Sequence, residues 1–299
     1  MVFTWCVLAP AALAVVGSIA CQSTSGVIRS ANDSPVTFKN AAIPSMESAI
    51  IALSWWFSIC LGIYSSESLS LWPADAWPKV VWSTLAATVL VSPQFMPMSA
   101  LSIQEKAGSD RPGLWVLVGL IAVAAASLAM PNGDGWSDML PLHQMWIAAL
   151  AMSTLGNTWA LYRMSQRNAE RWLPLVLLAG LACPMLIGAA AYSALAQACL
   201  AAIAATSVIA IFAVAGRLRV TAALILPCAI FTTTMIAAGR FYSYAEISLV
   251  DYGLALFAPS IIALIDRIFT HQSTMIRVVI AATIGSCLVG FIAYRFLLS

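Results

Sequence analysis

The ionisable residues of this sequence avoid the middle of its apolar runs. A charged side chain at the centre of a membrane span is costly and usually functional, so its position matters first. Each ionisable residue within a run lies within about three positions of an end, where we expect it to reach headgroups or water. These residues are Glu47, Asp251, Asp266, Arg267, Arg277 and Arg295. The pattern argues against a proton relay, a voltage sensor or a carboxylate-bound cation at the centre, and suits a neutral solute or a lipid.

Neutral polar groups are the remaining candidates for chemistry inside the runs. Pro93 and Pro97 lie four residues apart in one run and predict a kink or a short unwound stretch, because each removes a backbone donor. Broken helices often line cavities, since their freed carbonyls need partners. We therefore predict a solute path along these prolines with Gln94, Asn157 and Thr233 converging on it. The alternative is that the same amides and hydroxyls only join helices.

A second candidate site is a lip at the outward interface, where aromatic residues mix with both signs of charge. Its predicted members are Arg240, Tyr242, Tyr244, Glu246 and Asp251. A substrate entering from outside would meet these side chains first. The alternative is an anchor belt, because tyrosine and tryptophan favour the membrane interface.

No catalytic, cofactor or metal site is readable from the residue spacings. The two histidines, His143 and His271, are predicted on opposite faces, and Asp134, Asp138 and His143 match no known metal-ligand spacing. The seven cysteines stand singly in apolar runs and are expected to act as small hydrophobes. We therefore expect a protein without a cofactor that is not an enzyme. An intramembrane enzyme acting on lipid is the third alternative, without paired carboxylates or a Ser/His set to support it.

The composition is that of a chain embedded in a bilayer. Of the 299 residues, 62% are apolar and 9% are charged, against roughly 25% charged in soluble domains. The net charge of +2 does not suggest a nucleic-acid partner. Runs of about 20 apolar residues match the thickness of the hydrocarbon core. They predict an all-α integral membrane bundle of about ten transmembrane helices at 2–21, 47–64, 80–102, 113–130, 145–162, 173–191, 195–215, 220–239, 251–268 and 276–297.

Local signals support several boundaries of these spans. Pro112 is placed for the first turn of the fourth span, where its missing N–H costs nothing. Gly216 and Gly239, each followed by an arginine, are predicted to end the seventh and eighth spans. Small-residue runs at 188–191 and 201–205 predict that the sixth and seventh helices pack closely as a hairpin.

The basic residues predict the orientation, because lysine and arginine are retained on the cytoplasmic side. With ten spans that alternate in direction, the loops on one side of the membrane hold eleven of the fourteen lysines and arginines. These are Arg29, Lys39, Lys106, Arg111, Arg163, Arg167, Arg171, Arg217, Arg219, Arg267 and Arg277. The segments on the other side of the membrane hold Lys79, Arg240 and Arg295. Both termini are therefore predicted on the outer, non-cytoplasmic side. The first span is expected to stay uncleaved, and a signal peptide ending near Cys21 is the alternative.

These features favour one transmembrane domain over 1–299, with a division into five and five spans near 163–172 that would suit an inverted repeat. The function they favour is a transporter or permease for a small neutral solute or a lipid-like molecule. The alternative is a non-enzymatic subunit or assembly factor of a larger membrane complex, or a homo-oligomer. The expected partner is the lipid bilayer, and short loops favour a bacterial cytoplasmic membrane.

Overall fold

The computed structural model describes residues 7–30, 39–66, 77–94, 112–131, 142–167, 169–191, 193–218, 221–241 and 248–298. All regular structure in these ranges is helical, which confirms the all-α prediction. Short 3₁₀ turns lie between some of the α-helices. The helices are α1 Ala9–Ser30, α2 Lys39–Ser66, α3 Val80–Leu90, α4 Pro112–Ala129, α5 Leu142–Ser165, α6 Leu173–Ala191, α7 Ser193–Val214, α8 Ile225–Phe241, α9 Leu249–Ile268 and α10 Thr274–Leu298.

Six helical segments are long and apolar enough to cross a membrane, which indicates an integral membrane protein. They are Met46–Tyr64, Pro112–Ala129, Ser193–Val214, Thr221–Phe241, Leu249–Ile268 and Met275–Arg295. Shorter apolar segments occur in α1, α3 and α6. Helix α5 has the length of a span, but its His143, Gln144 and Asn157 make it less apolar. Each predicted span overlaps one of the α-helices described.

Helix α8 occupies the centre of the bundle. It packs against α3, α4, α5, α6, α7 and α9, and its residues from Ile225 to Gly239 are all buried. The contacts among the other helices close a ring in the order α1, α2, α3, α4, α5, α9, α10, α6, α7 and back to α1. Helix α10 is the most peripheral of the six candidate spans, since most of its residues face away from the protein. Both halves of the sequence therefore contribute neighbours to the central helix.

Small residues allow the closest helix contacts, as expected where two helices approach within a membrane. At Gly188 in α6, a Cβ atom would lie 2.8 Å from the backbone nitrogen of Ala196 in α7. At Gly62 in α2, it would lie 2.5 Å from the Cβ of Ala201. The predicted close packing of α6 and α7 is confirmed, because these consecutive helices make extensive contact with each other.

Two of the helix ends that local sequence signals predicted are present in the structure, and a third is not. Pro112 begins α4 as predicted. Gly216, with φ +73°, follows the end of α7, and Arg217 N–H donates to the carbonyl of Phe212 at 2.9 Å, as in a Schellman cap. The prediction for Gly239 was wrong, because α8 continues through it to Phe241. This glycine instead gives α8 close access to Ile187 of α6.

Candidate functional site

Helix α3 is interrupted next to the first of the two prolines. It ends at Leu90, and the chain continues through a 3₁₀ turn at Ser92–Gln94. The predicted departure from regular α-helix is present at Pro93, while Pro97 lies outside the described residues. That these prolines line a solute path stays a prediction. Gln94 is exposed, and its side-chain Nε2 donates to the carbonyl of Leu90 at 2.8 Å. The amide thus supplies a donor to a carbonyl at the helix end, where the regular hydrogen bonding stops.

The interrupted end of α3 meets the beginning of the central helix. Ser92 Oγ donates to the carbonyl of Ala223 at 2.7 Å, and this residue belongs to the 3₁₀ turn Thr221–Leu224 that precedes α8. Helix α2 packs against both 3₁₀ turns. Irregular backbone at membrane depth is tolerated only where protein or water satisfies its polar groups. The hydrogen bond from Ser92 satisfies the carbonyl of Ala223 and joins the end of α3 to the 3₁₀ turn before α8.

Buried hydroxyl groups of α3 and α8 lack hydrogen-bond partners. Ser83 and Thr88 in α3, and Thr233 in α8, are buried, and their hydroxyl oxygens have no partner among the described residues. Thr84, between the first two, instead donates to the carbonyl of Val80 in its own helix at 2.7 Å. Buried polar groups usually have a protein or water partner. Because α3 and α8 pack against each other, these three hydroxyls lie on neighbouring helices. Water or a solute would have to enter between the two helices to hydrogen-bond with them.

Asn157 is buried and joins α5 to α9. Its Nδ2 donates to the carbonyl of Leu256 at 2.8 Å, and its Oδ1 accepts a hydrogen bond from Ser260 Oγ at 2.5 Å. Both partners lie in α9, about 100 residues later in the chain. These contacts match the alternative role of a polar group that holds helices together. The hydrogen bonds of Asn157 and Gln94 do not link these two side chains. That they line one solute path together with Thr233 stays a prediction.

Replacing Asn157 by leucine is expected to lower the free energy of unfolding by about 1–2 kcal/mol, since two interhelical hydrogen bonds are lost in the membrane. The matched control is Thr158→Val, whose buried hydroxyl bonds only to the carbonyl of Thr154 in its own helix. Denaturant titration of both variants in mild detergent measures the difference. An Asn157→Leu protein with unchanged stability would contradict the joining role.

Two described members of the predicted outer lip are engaged in contacts within the protein. Asp251 is buried at the start of α9, where Ser248 Oγ donates to its carboxylate at 2.6 Å and Arg295 lies 3.3 Å from it. The Arg240 guanidinium lies 5.8 Å from the centre of the Tyr252 ring. Tyr242, Tyr244 and Glu246 lie outside the described residues. A lip that includes Arg240 and Asp251 would therefore present side chains that already have partners.

The expectation that every charged residue at a span end reaches headgroups or water was wrong for Asp251, Asp266 and Arg277, which are all buried. Asp266 is 3% exposed and Arg277 is 8% exposed, and the two form a bidentate ion pair with N–O distances of 2.6 and 2.9 Å. The Arg277 guanidinium also lies 4.8 Å from the centre of the Trp172 ring. Neutralisation by an opposite charge allows burial that an isolated ion could not sustain. The sequence showed two charges near span ends but not that they pair.

Comparison with known proteins identifies no relative. No protein family, curated protein or solved structure matches the chain.

Sequence reasoning missed Ser83, Thr88 and Ser92 as candidate site residues. The only available signal was a polar residue type inside an apolar run, and Thr84 gives the same signal. Serine and threonine often bond to the carbonyl one turn earlier in their own helix, as Thr84 does. Whether a given hydroxyl makes that bond depends on its rotamer and its neighbours, which the sequence does not reveal.

Proposed function

We propose that the chain is a permease for a small neutral solute, which crosses the bundle along the contact between α3 and α8. The observation that supports this function is the set of buried hydroxyls without partners at Ser83, Thr88 and Thr233. A neutral solute with hydroxyl, amide or carbonyl groups could replace its hydration there, because each hydroxyl can both donate and accept. The end of α3 and the 3₁₀ turn before α8 add irregular backbone of the kind found beside transporter sites.

The proposed topology has ten spans with both termini on the outer side, in a bacterial cytoplasmic membrane. Its support is the overlap of each predicted span with one α-helix, and the clustering of basic residues in space. Arg277 Nη1 lies 3.5 Å from the carbonyl of Arg167, and Arg163, Arg167 and Arg267 line one groove. We call this the arginine end of the bundle. By the positive-inside rule it would face the cytoplasm.

If the protein is a permease of this kind, solute flux should fall when a threonine hydroxyl without a hydrogen-bond partner is replaced by the methyl group of valine. Thr88→Val and Thr233→Val should each lower flux about three- to ten-fold, the effect of losing a hydrogen bond of about 1 kcal/mol to the passing solute. Both proteins should unfold at the same or a higher temperature, because a buried hydroxyl without a partner costs free energy. The matched control, Thr84→Val, removes a hydroxyl that is bonded within its own helix and should leave flux unchanged.

The measurement is the swelling of proteoliposomes in urea, glycerol and erythritol, compared with vesicles that lack the protein. Loss of a fluorescent phospholipid from the outer leaflet provides a second assay, since a lipid-like substrate would be moved across instead. Equal flux in Thr84→Val and Thr88→Val would contradict the proposed path. Absence of flux in both assays, together with a second polypeptide that copurifies in mild detergent, would favour the membrane-subunit alternative.

A further inference from the structure

A groove between α5 and α9 combines an apolar wall with a basic lip. Its volume is about 240 Å³, and its wall includes Gly156, Trp159 and Ala160 from α5 with Ala263 and Leu264 from α9. A groove of this volume is too small for a whole lipid, but it can take a headgroup phosphate and the first part of one chain.

The lip of the groove consists of three arginines at one end. Arg163 and Arg167 follow the wall residues of α5, and Arg267 follows those of α9. Gly156 and Arg163 are separated by seven residues, which span roughly 10 Å of helix at 1.5 Å per residue. Among the residues that the structure describes, none that lines the groove is acidic, and the nearby carboxylate of Asp266 is paired with Arg277. The groove thus carries positive charge at one end and apolar surface along the rest of its length.

The groove opens away from the protein, towards the position of the lipid. A Cβ atom added to Gly156 would have no atom within 4 Å. Trp159 is 47% exposed and Leu264 is 61% exposed. The Arg163 guanidinium lies 5.7 Å from the centre of the Trp159 ring, a contact that holds the cation at the lip. A dissolved anion would need only the cations, whereas the exposed apolar wall suits a ligand with a chain.

We propose that this groove binds a phospholipid with an anionic headgroup. The phosphate contacts Arg163, Arg167 and Arg267, and one acyl chain lies over Gly156 between α5 and α9. Arginine is suited to this contact because its guanidinium binds phosphate oxygens in pairs. Basic pockets between membrane helices on the cytoplasmic side are known to bind lipid headgroups in this way. The proposal is independent of the solute path along α3 and α8.

The test measures the thermal unfolding of the full chain in mild detergent with three probes. These are short-chain phosphatidylglycerol, phosphatidylcholine with the same chains, and inorganic phosphate. Phosphatidylglycerol should raise the unfolding midpoint in a saturable manner, because a ligand that binds only the folded state stabilises it. Phosphatidylcholine should have less effect at the same concentrations, because its choline cation offsets the phosphate charge and is repelled by the three arginines. Inorganic phosphate should have little effect, because it has no acyl chain for the apolar wall.

Matched variants locate the binding. Arg163→Gln combined with Arg267→Gln should raise the Kd for phosphatidylglycerol about 25-fold, or about five-fold for each arginine. Arg217→Gln removes another exposed arginine, outside the groove, and should change the Kd less than about two-fold. Gly156→Leu should fill the groove and weaken binding by at least about ten-fold without lowering the lipid-free midpoint, since leucine has the higher helix propensity. Gly119→Leu is its control, because Gly119 in α4 also has no atom within 4 Å of an added Cβ.

Three results would overturn the proposal. Equal weakening by Arg217→Gln and the groove arginines would indicate binding to general surface charge. Equal affinity for phosphatidylcholine would indicate a lipid site that does not recognise an anionic headgroup. A midpoint shift with inorganic phosphate as large as that with phosphatidylglycerol would indicate a site for a soluble anion.

Discussion

Asp266→Asn is expected to lower the free energy of unfolding by about 3–5 kcal/mol, the typical cost of removing one partner of a buried ion pair. The substitution leaves the positive charge of Arg277 buried beside Trp172, with a neutral amide in place of the carboxylate. The midpoint of thermal unfolding in mild detergent, checked by denaturant titration, measures the loss. The effect should persist in high salt, because water and ions have little access to the pair.

The matched control is the other ion pair between the same two helices. Arg295 contacts Asp251 at 3.3 Å, but its side chain is 49% exposed. Arg295→Gln should therefore cost less than Asp266→Asn, because the charge removed is solvent-accessible and Ser248 Oγ still donates to the buried carboxylate of Asp251. Asp266→Leu combined with Arg277→Met should recover most of the stability lost in Asp266→Asn, since no unpaired charge remains. Equal losses in Asp266→Asn and Arg295→Gln would show that burial does not determine the strength of these pairs.

Gly188→Ala is expected to lower the free energy of unfolding by about 1–3 kcal/mol, the usual cost of overpacking. The added Cβ would lie 2.8 Å from the backbone nitrogen of Ala196 and 3.0 Å from the Cβ of Leu195. Because the first of these contacts is with backbone, α6 and α7 must move apart. Denaturant titration and the rate of proteolysis between the two helices would both detect the change.

Gly119→Ala is the matched control for that prediction. It adds the same methyl group to a helical glycine of α4 with no atom within 4 Å. The substitution should be neutral or slightly stabilising, because alanine has the higher helix propensity. If Gly119→Ala and Gly188→Ala destabilised the protein equally, close packing between α6 and α7 would not explain the loss.

The helices could be predicted from the sequence because their causes are local. Apolar runs of membrane length predict helices, Pro93 predicts the interruption of α3, and Gly216 predicts the end of α7. Each of these signals acts within a few residues of its effect. Gly239 shows the limit of such reasoning: the same residue type continues a helix when a neighbouring helix, here α6, packs against it.

The pairing of side chains could not be predicted because it depends on the order of helices around α8. Asn157 finds Ser260 in a helix about 100 residues later, and Asp251 finds Arg295 across 44 residues. Hydropathy places such residues at a depth in the membrane but gives no information on which helix lies beside them. The candidate solute path could not be predicted for the same reason. The sequence does not show that the hydroxyl of Thr84 is bonded within its own helix while that of Thr88 has no partner among the described residues.

The two ion pairs between α9 and α10 limit how the bundle can move. They lie near opposite ends of both helices, Asp251 with Arg295 at one end and Asp266 with Arg277 at the other. Sliding or rotating α10 along α9 would strain both pairs together, so we expect the two helices to travel as one rigid body. We expect a rearrangement that opens the bundle to bend instead at the end of α3 and at the 3₁₀ turn before α8.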